Sequence, residues 1–481
     1  MKRLSSSVAV LLCLALCASC AAGLAGCAGS GAGARPESYS ANPALDVSRE
    51  VELRIGSGKE TWPEMDEVIA KFEEVYPNCS ISCEYIEEYS TNLELRLKQA
   101  DQRIDIFRTT NIQPTTSAGV YKDYCVNLIS EESAAILDLS HCYKGLVDNF
   151  RYTGAENTQY AVPYGGEMRG MYVNTTLLDS LGLKTPTNRA ELLECCAVLY
   201  DAGYIPLQSS YDTFAQQLLY PYICNCIVNG GAYEETYAAI ENIDAGISEL
   251  FRDPYTFLYG LVEKGYFDYD RVKRELGYTF DGSEGKARDF LNVIQVADGV
   301  YEKQDDVGKI AFLVDTQSFE GSLAKEKENY HSAIEYEFIL SPVGEDGGCA
   351  YLSPSDALAV NKSSNNVDWA LEFLNFFFQP EVTREFAAWS NKIPNTADAL
   401  LSYNVDESHI SDVGQVTFGY TFYKTVTTPM MGGYEDMPGI SKLNDPKLMV
   451  ENADGTRSLA YTVEDYLERL ESELQAVKAG R

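Results

Sequence analysis

Cysteine is the most reactive residue type in this sequence, and one of its 13 cysteines sits in a processing context. Leu24-Ala25-Gly26-Cys27 is a small-residue cleavage site ending in a thiol. In such a lipobox the thiol receives diacylglycerol before the peptide bond ahead of it is cut. Upstream, Lys2 and Arg3 precede the apolar run Val8 to Leu16, which is long enough for an export signal and too short to cross a bilayer. Removal of residues 1–26 would also remove Cys13, Cys17 and Cys20. That leaves Cys79, Cys83, Cys125, Cys142, Cys195, Cys196, Cys224, Cys226 and Cys349 beside the lipidated Cys27. Nine thiols cannot all pair within one chain, and mostly reduced cysteines are expected. Cys224-Asn225-Cys226 has one residue between its thiols where zinc pairs usually have two to four, and His141, His331 and His409 lack metal-type spacing. No metal or cofactor is expected.

The remaining chemistry is of the binding kind. Trp62 lies in the turn after a first strand, where open α/β sheets bind ligands at their carboxyl ends, or else packs at a helix start. Thr109 and Thr110 follow a third strand and could bond a polar ligand or shape a turn. Asp315 and Gln317 directly follow a buried strand, where an acid could accept from vicinal hydroxyls or pair with a cation. Trp389, one turn from Asn391 and before Pro394, could lie over a cleft or plug the core.

The elements that must position these residues follow from periodicity. Val51–Ile55 alternates as a strand and runs into Gly56-Ser57-Gly58. Pro63 then opens a helix with Met65, Val68, Ile69, Phe72 and Val75 at helical spacing, stopped by Pro77-Asn78. Residues 79–86 read as strand, 92–102 as helix and 104–107 as strand, the rhythm of a parallel sheet wrapped by helices. Further on the pattern gives strand at 170–173 and helix at 188–202, then a Tyr-rich helical region at 211–227 and helix at 285–297. Beyond these come a buried strand at 309–314, an apolar helix at 368–378 and a closing amphipathic helix at 462–478, capped by Thr462 and Asp465. Residues 28–42 are Gly, Ala, Ser and Pro with hardly a large apolar side chain, so 27–48 is expected to be a flexible tether. More than 400 residues remain from Val51 onward, enough for two lobes, and no later segment is apolar enough to cross a membrane.

There are 38 Lys and Arg against 72 Asp and Glu. Without residues 1–26 the balance is 36 against 72, or −36. A field of that sign repels phosphate backbones, so nucleic acid is not an expected partner.

Several ordered segments resemble the extracellular solute-binding proteins of ABC importers, in the branch that includes maltose-binding protein. Leu53-Arg54-Ile55-Gly56, the helix ending in Tyr76-Pro77-Asn78, and Ile104-Asp105-Ile106-Phe107 are similar to that family's opening. Tyr160-Ala161-Val162-Pro163-Tyr164 through Met171-Tyr172-Val173-Asn174 resembles its first crossing between lobes, and Gly308-Lys309-Ile310-Ala311-Phe312 its second. Ala357 to Asn365 with Ala370-Leu371-Glu372-Phe373-Leu374 resembles the third, followed by Ile393-Pro394.

The resemblance implies an α/β fold of two hinged lobes with ligand captured in the cleft between them. The first lobe would comprise 49–165 and 309–356, and the second 166–308 and 357–481. It adds Tyr164, Glu167 and Arg169 in the first crossing, Tyr211 and Phe214 ahead of a second-lobe helix, and Tyr351 and Ser353 before the third crossing as ligand contacts. Trp62, Tyr164, Asp315 and Trp389 would then converge on the cleft and remain partly exposed. The implied partners are a small solute, a sugar by the family's habit, an importer permease, and the membrane through the Cys27 lipid alone. The implied state is a monomer on the extracytoplasmic face. Sugar binders of the family often carry Trp after the second crossing, whereas this chain has Asp315-Thr316-Gln317-Ser318-Phe319, although its 33 tyrosines offer both faces and hydroxyls. A lipid-anchored glycoside hydrolase, or the same fold binding a peptide or cation, are the competing readings.

Overall fold

The computed structural model describes residues 35–99, 103–109, 123–143, 146–147, 151–152, 158–209, 217–222, 233–276, 282–345, 347–348, 351–398, 449–453 and 457–479. The signal segment, Cys27, Thr110, Tyr211, Phe214, Cys224, Cys226 and Cys349 lie outside these residues.

The first half-lobe runs β1 (Val51–Ser57), α1 (Pro63–Val75), β2 (Cys79–Tyr85), α2 (Tyr89–Lys98) and β3 (Ile106–Thr109). Helix α1 starts where Pro63 costs no hydrogen bond, with Glu64 and Asp66 in its first turn, and buries the predicted stripe Met65, Val68, Ile69 and Phe72. After β4 (Ala161–Pro163) comes the long β5 (Gly165–Asn174), then α3 (Arg189–Asp201), β6 (Ile205–Gln208), α4 (Arg252–Glu263) and α5 (Gly282–Phe290). Strand β7 (Ile310–Thr316) leads to α6 (Glu320–Asn329) and β8 (Tyr336–Leu340), and β9 (Tyr351–Pro354) to β10 (Ala357–Val360). Helices α7 (Val367–Phe377) and α8 (Pro380–Trp389), the two-residue β11 (Ile393–Pro394) and the terminal α9 (Val463–Ala479) complete the chain.

The two large sheets run in the order β2-β1-β3-β10-β4 and in the order β8-β5-β7-β6, with β9 and β11 also pairing with β5. Strands β1, β2 and β3 are parallel, as are β6 and β7, so each sheet has the helix-wrapped character the periodicity predicts. The Thr462–Asp465 cap forms reciprocally: Asp465 accepts from the backbone N and Oγ1 of Thr462 at 2.7 Å, and its own N–H donates to Thr462 Oγ1 at 3.2 Å.

Sheet membership corrects the lobe boundaries. Residues 310–340 extend the second sheet, because β7 lies between β5 and β6. Residues 357–360 join the first sheet between β3 and β4. Helices α7 and α8 follow β10 into the first lobe's core, where Trp369, Phe373 and Phe386 pack with Leu53, Trp62 and Phe72. Helix α9 returns to the second lobe, where Tyr466, Leu470 and Leu474 pack with Leu258. The helix read at 285–297 ends at Phe290, and Val293–Ala297 is strand.

The tether expectation also changes. Residues 35–48 are docked on the first lobe, with Tyr39 and Leu45 buried in its core. Helix α7 is apolar nearly all round, and such a helix must be covered on every side. Tyr39 covers its outer side, with its ring 5.3 Å from that of Phe376. The fully buried Glu372 carboxylate accepts from both the Tyr39 and Tyr76 hydroxyls and, at 3.2 Å, from the backbone N–H of Asn42. Asn375 donates to the Ser40 carbonyl at 3.1 Å.

Cys79, Cys83, Cys125, Cys142, Cys195 and Cys196 are unpaired. Burial pushes the thiols of Cys79, Cys83 and Cys142 up to about 12, which keeps them unreactive at neutral pH.

Glu372→Ala leaves two buried hydroxyls without their common acceptor and is expected to lower stability by about 2 to 4 kcal/mol. Urea unfolding checks this, with faster proteolysis within 35–48 as the accompanying sign. An unchanged midpoint would contradict the latch.

Candidate functional site

Register decides which residues share the gap between the sheets. Ala357 pairs with both Thr109 and Pro163, so Ser57, Thr109, Tyr164 and Asp356 lie along the carboxyl edge of the first sheet. Leu313 pairs with Gln208 and Thr316 with Arg169, which puts Gln208, Asp315 and Arg169 along the carboxyl edge of the second. The chain passes between these edges in one residue at Tyr164 and in two at Ser355-Asp356, so the edges adjoin.

The two crossings are bound side by side. Tyr164 N–H donates to the Asp356 carbonyl at 3.1 Å, and Ser355 donates to the Gly165 carbonyl through its N–H at 2.9 Å and its Oγ at 2.7 Å. Asn395 Nδ2 donates to the Pro163 carbonyl at 2.6 Å, tying in the segment after β11. Side chains reinforce the backbone: Asp356 Oδ2 accepts from Tyr164 Oη at 2.7 Å and from Arg108 Nε at 2.8 Å. Burial, then the Asp356 carboxylate, raise the Tyr164 phenol above its ordinary range, so it stays a donor at any working pH.

Trp62 and Tyr164 meet as expected, with ring centroids 5.9 Å apart, but inside the core. Their relative exposures are 2% and 3%, and Phe386 packs on both. Partial exposure of these two is therefore corrected: they form the inner wall behind the edge. Trp389 is 44% exposed with the Lys71 ammonium 5.5 Å over its ring, so it belongs to the outer α1 and α8 surface rather than to this cluster. Asp315 is buried in the second lobe, paired with Lys286 of α5. The four residues do not form one group: Trp389 is the last residue of α8 and stands exposed at its end, and Asp315 lies within the second lobe. Thr109 is buried at the end of β3.

Glu167 accepts from Lys392 and, at 3.0 Å, from Ser318 Oγ. Gln317 Oε1 accepts from the Met168 N–H at 2.6 Å, and Ser353 Oγ donates to the Glu167 carbonyl at 3.1 Å, so these three expected contacts hold β5 to its neighbours. The Arg169 guanidinium lies 5.2 Å from the Tyr220 ring and 5.6 Å from the Tyr351 ring, which pack on each other at 5.3 Å, and Arg169 Nη1 donates to Gln217 Oε1 at 2.7 Å.

Sequence reasoning passed over Arg108, Asp356, Lys59, Lys392 and Asp289. Arg108 and Asp356 adjoin β-strand ends already marked, and that adjacency was the available signal. Asp289 bonds Gln208 Nε2 at 3.3 Å beneath α5. Among the described residues no group of three or more His, Cys, Asp or Glu could hold a metal ion, and no helix is long and apolar enough to cross a membrane.

The model of the bacterial extracellular solute-binding protein family matches residues 67–410, more than half of the sequence. The chain belongs to this family. It is a binding protein of the transporter class rather than an enzyme, and the family is extracytoplasmic. Comparison with curated proteins returns no match. Among solved structures, a sugar transporter protein from Rhizobium etli in an open conformation has a TM-score of 0.60 at 16% identity, covering 88% of this chain and 99% of that one. A family 1 extracellular solute-binding protein from Bifidobacterium longum subsp. infantis gives 0.61 at 14%, covering 89% and 100%. A cyclic alpha-maltosyl-1,6-maltose binding protein from Arthrobacter globiformis gives 0.60 at 15%, covering 89% and 99%. At these identities the likeness establishes a shared two-lobed fold.

Tyr164→Ala removes a core ring and is expected to lower stability by about 3 to 5 kcal/mol, whereas Tyr164→Phe removes only the Asp356 bond and costs about 1 kcal/mol. Denaturant unfolding of the pair checks this, and equal losses would contradict the buried placement.

A pH dependence follows from Asp289. Burial pushes its carboxyl up to about 8, while Gln208 and Arg288 pull the other way. Unfolded, the same group releases its proton near pH 4, so between these values the native state holds the extra proton and loses stability as pH rises. Asp289→Asn is expected to unfold at a higher temperature than the parent, with the gap widening from pH 4 to 8. A constant gap in thermal unfolding would contradict this.

Proposed function

We propose that the protein is a receptor anchored by lipid at Cys27 to the extracytoplasmic face, where as a monomer it captures a saccharide between its lobes and passes it to an ABC importer permease. The observation that carries this reading is the pair of carboxyl sheet edges joined by two short crossings. Ligands of open α/β sheets bind at such edges, and crossings tied to each other rather than to one lobe suit a hinge.

The edge residues favour a sugar. Gln208, Ser209, Thr316 and Gln217 line the second edge with amides and hydroxyls, and Arg169 offers a fork of donors in front of the buried Tyr220 and Tyr351. Solved relatives of the same fold are described as a sugar transporter protein and as a maltosyl-maltose binder, which supports the same class. Thr110, Tyr211 and Phe214 complete the proposed contact set. The lipid would keep a soluble body of net charge about −36 beside the permease without a spanning helix.

The expected result with soluble protein beginning after Cys27 is a raised melting temperature with particular oligosaccharides, each recovered intact by mass spectrometry after prolonged incubation. No stabilisation by any saccharide would overturn the ligand class, and consumption of the sugar would overturn capture.

A further inference from the structure

Five cations stand along the facing sheet edges or beside them, and they differ in how their charge is met. Arg108 is paired with Asp356, Lys286 with Asp315 and Lys392 with Glu167. Arg169 and Lys59 have no carboxylate within ion-pair reach among the described residues. Arg169 gives one N–H to the neutral Gln217 amide, has its Nε buried without an acceptor, and is otherwise faced by the rings of Tyr220 and Tyr351. The Lys59 ammonium lies 5.1 Å over the Trp62 ring.

A partly buried charge loses hydration, and one neutral amide with two ring faces recovers only part of that loss. The missing part is what an anion entering from the gap would supply, by meeting the fork of donors that a guanidinium presents. Lys59 strengthens the same field. Burial lowers its ammonium pKa, and Arg108 and Lys392 lower it further while Glu64 and Asp356 act in the opposite sense, which puts these cations within one electrostatic neighbourhood. Glu167, the acid bonded to Lys392, is two residues before Arg169 on β5, so both side chains project from the same face of that strand and the neighbourhood extends to Arg169. Arg169 and Lys59 thus bring to the gap two positive charges that the acids paired there with Arg108, Lys286 and Lys392 do not take up, which favours an acidic solute over a cationic one.

We propose that the captured saccharide is anionic, carrying a carboxylate that Arg169 binds through its guanidinium fork while Lys59 contributes attraction from the opposite sheet edge. This rests on the saccharide-capture reading above. A sulfate ester could present the same oxygens with a different shape.

The test is calorimetric titration of the mature soluble chain with uronic-acid oligosaccharides, each beside its carboxyl-reduced neutral counterpart, and with sulfated oligosaccharides as a third arm. Carboxylated members are expected to bind at least tenfold more tightly than their reduced partners, and more weakly as salt is raised. Arg169→Gln should abolish that preference, Arg169→Lys should restore part of it, and Lys59→Gln should reduce it about threefold. Binding confined to neutral members, or equal binding within each pair, overturns the anionic class and leaves saccharide capture standing. Binding confined to the sulfated arm overturns the carboxylate. Absence of any saccharide binding overturns both readings, and an Arg169→Gln variant that loses stability but not preference would make this cation structural.

Discussion

Backbone pairing at the start of β5 is the constraint on which the rest of the molecule depends. Gly165 and Gly166 pair with Pro394 and Ile393 on one strand, Gly166 pairs with Pro354 on another, and the Gly165 carbonyl accepts twice from Ser355. Three separate stretches of chain therefore meet main chain to main chain between the lobes. There is no room for a side chain at this point, since a Cβ on Gly165 would stand 2.7 Å from the Ile393 carbonyl oxygen. Because the crossings bind each other, they form a narrow band with its own hydrogen bonds, while each lobe keeps its own core on either side. A joint of that construction suits the lobe rotation proposed for ligand capture.

The same band organises the charges. Asp356 on one crossing collects Tyr164 and Arg108, and Glu167 just inside β5 collects Lys392 and Ser318. Buried pairs of this kind add little net stability, but they fix where side chains stand. Lys286 is met in the same way by Asp315 on the second edge.

Much of this was legible in the sequence. The stripe of α1, the burial of β7, the Thr462–Asp465 cap and the order of the crossing segments all depend on local spacing, which sequence displays directly. Lobe membership after residue 309 was not legible, because strands β7 and β10 are equally apolar and only pairing partners tell which sheet each enters. The docked segment 35–48 was misread for a related reason: its composition is that of a tether, and two side chains, Tyr39 and Leu45, together with the remote Glu372, hold it down. At the site, residue types at strand ends pointed to the correct edges. They could not reveal that Trp62 and Tyr164 would turn inward, since that depends on the packing of the remote Phe386 and Phe377.

The central claim is that ligand is taken up between the two carboxyl sheet edges. A crystal structure of the protein with the ligand it retains on purification tests this most directly. The account predicts ligand density in the gap, touching residues of both edges, with the lobes rotated about 163–166 and 354–357 relative to the ligand-free form. Density confined to one lobe, or lobes unchanged by an occupied gap, would contradict it.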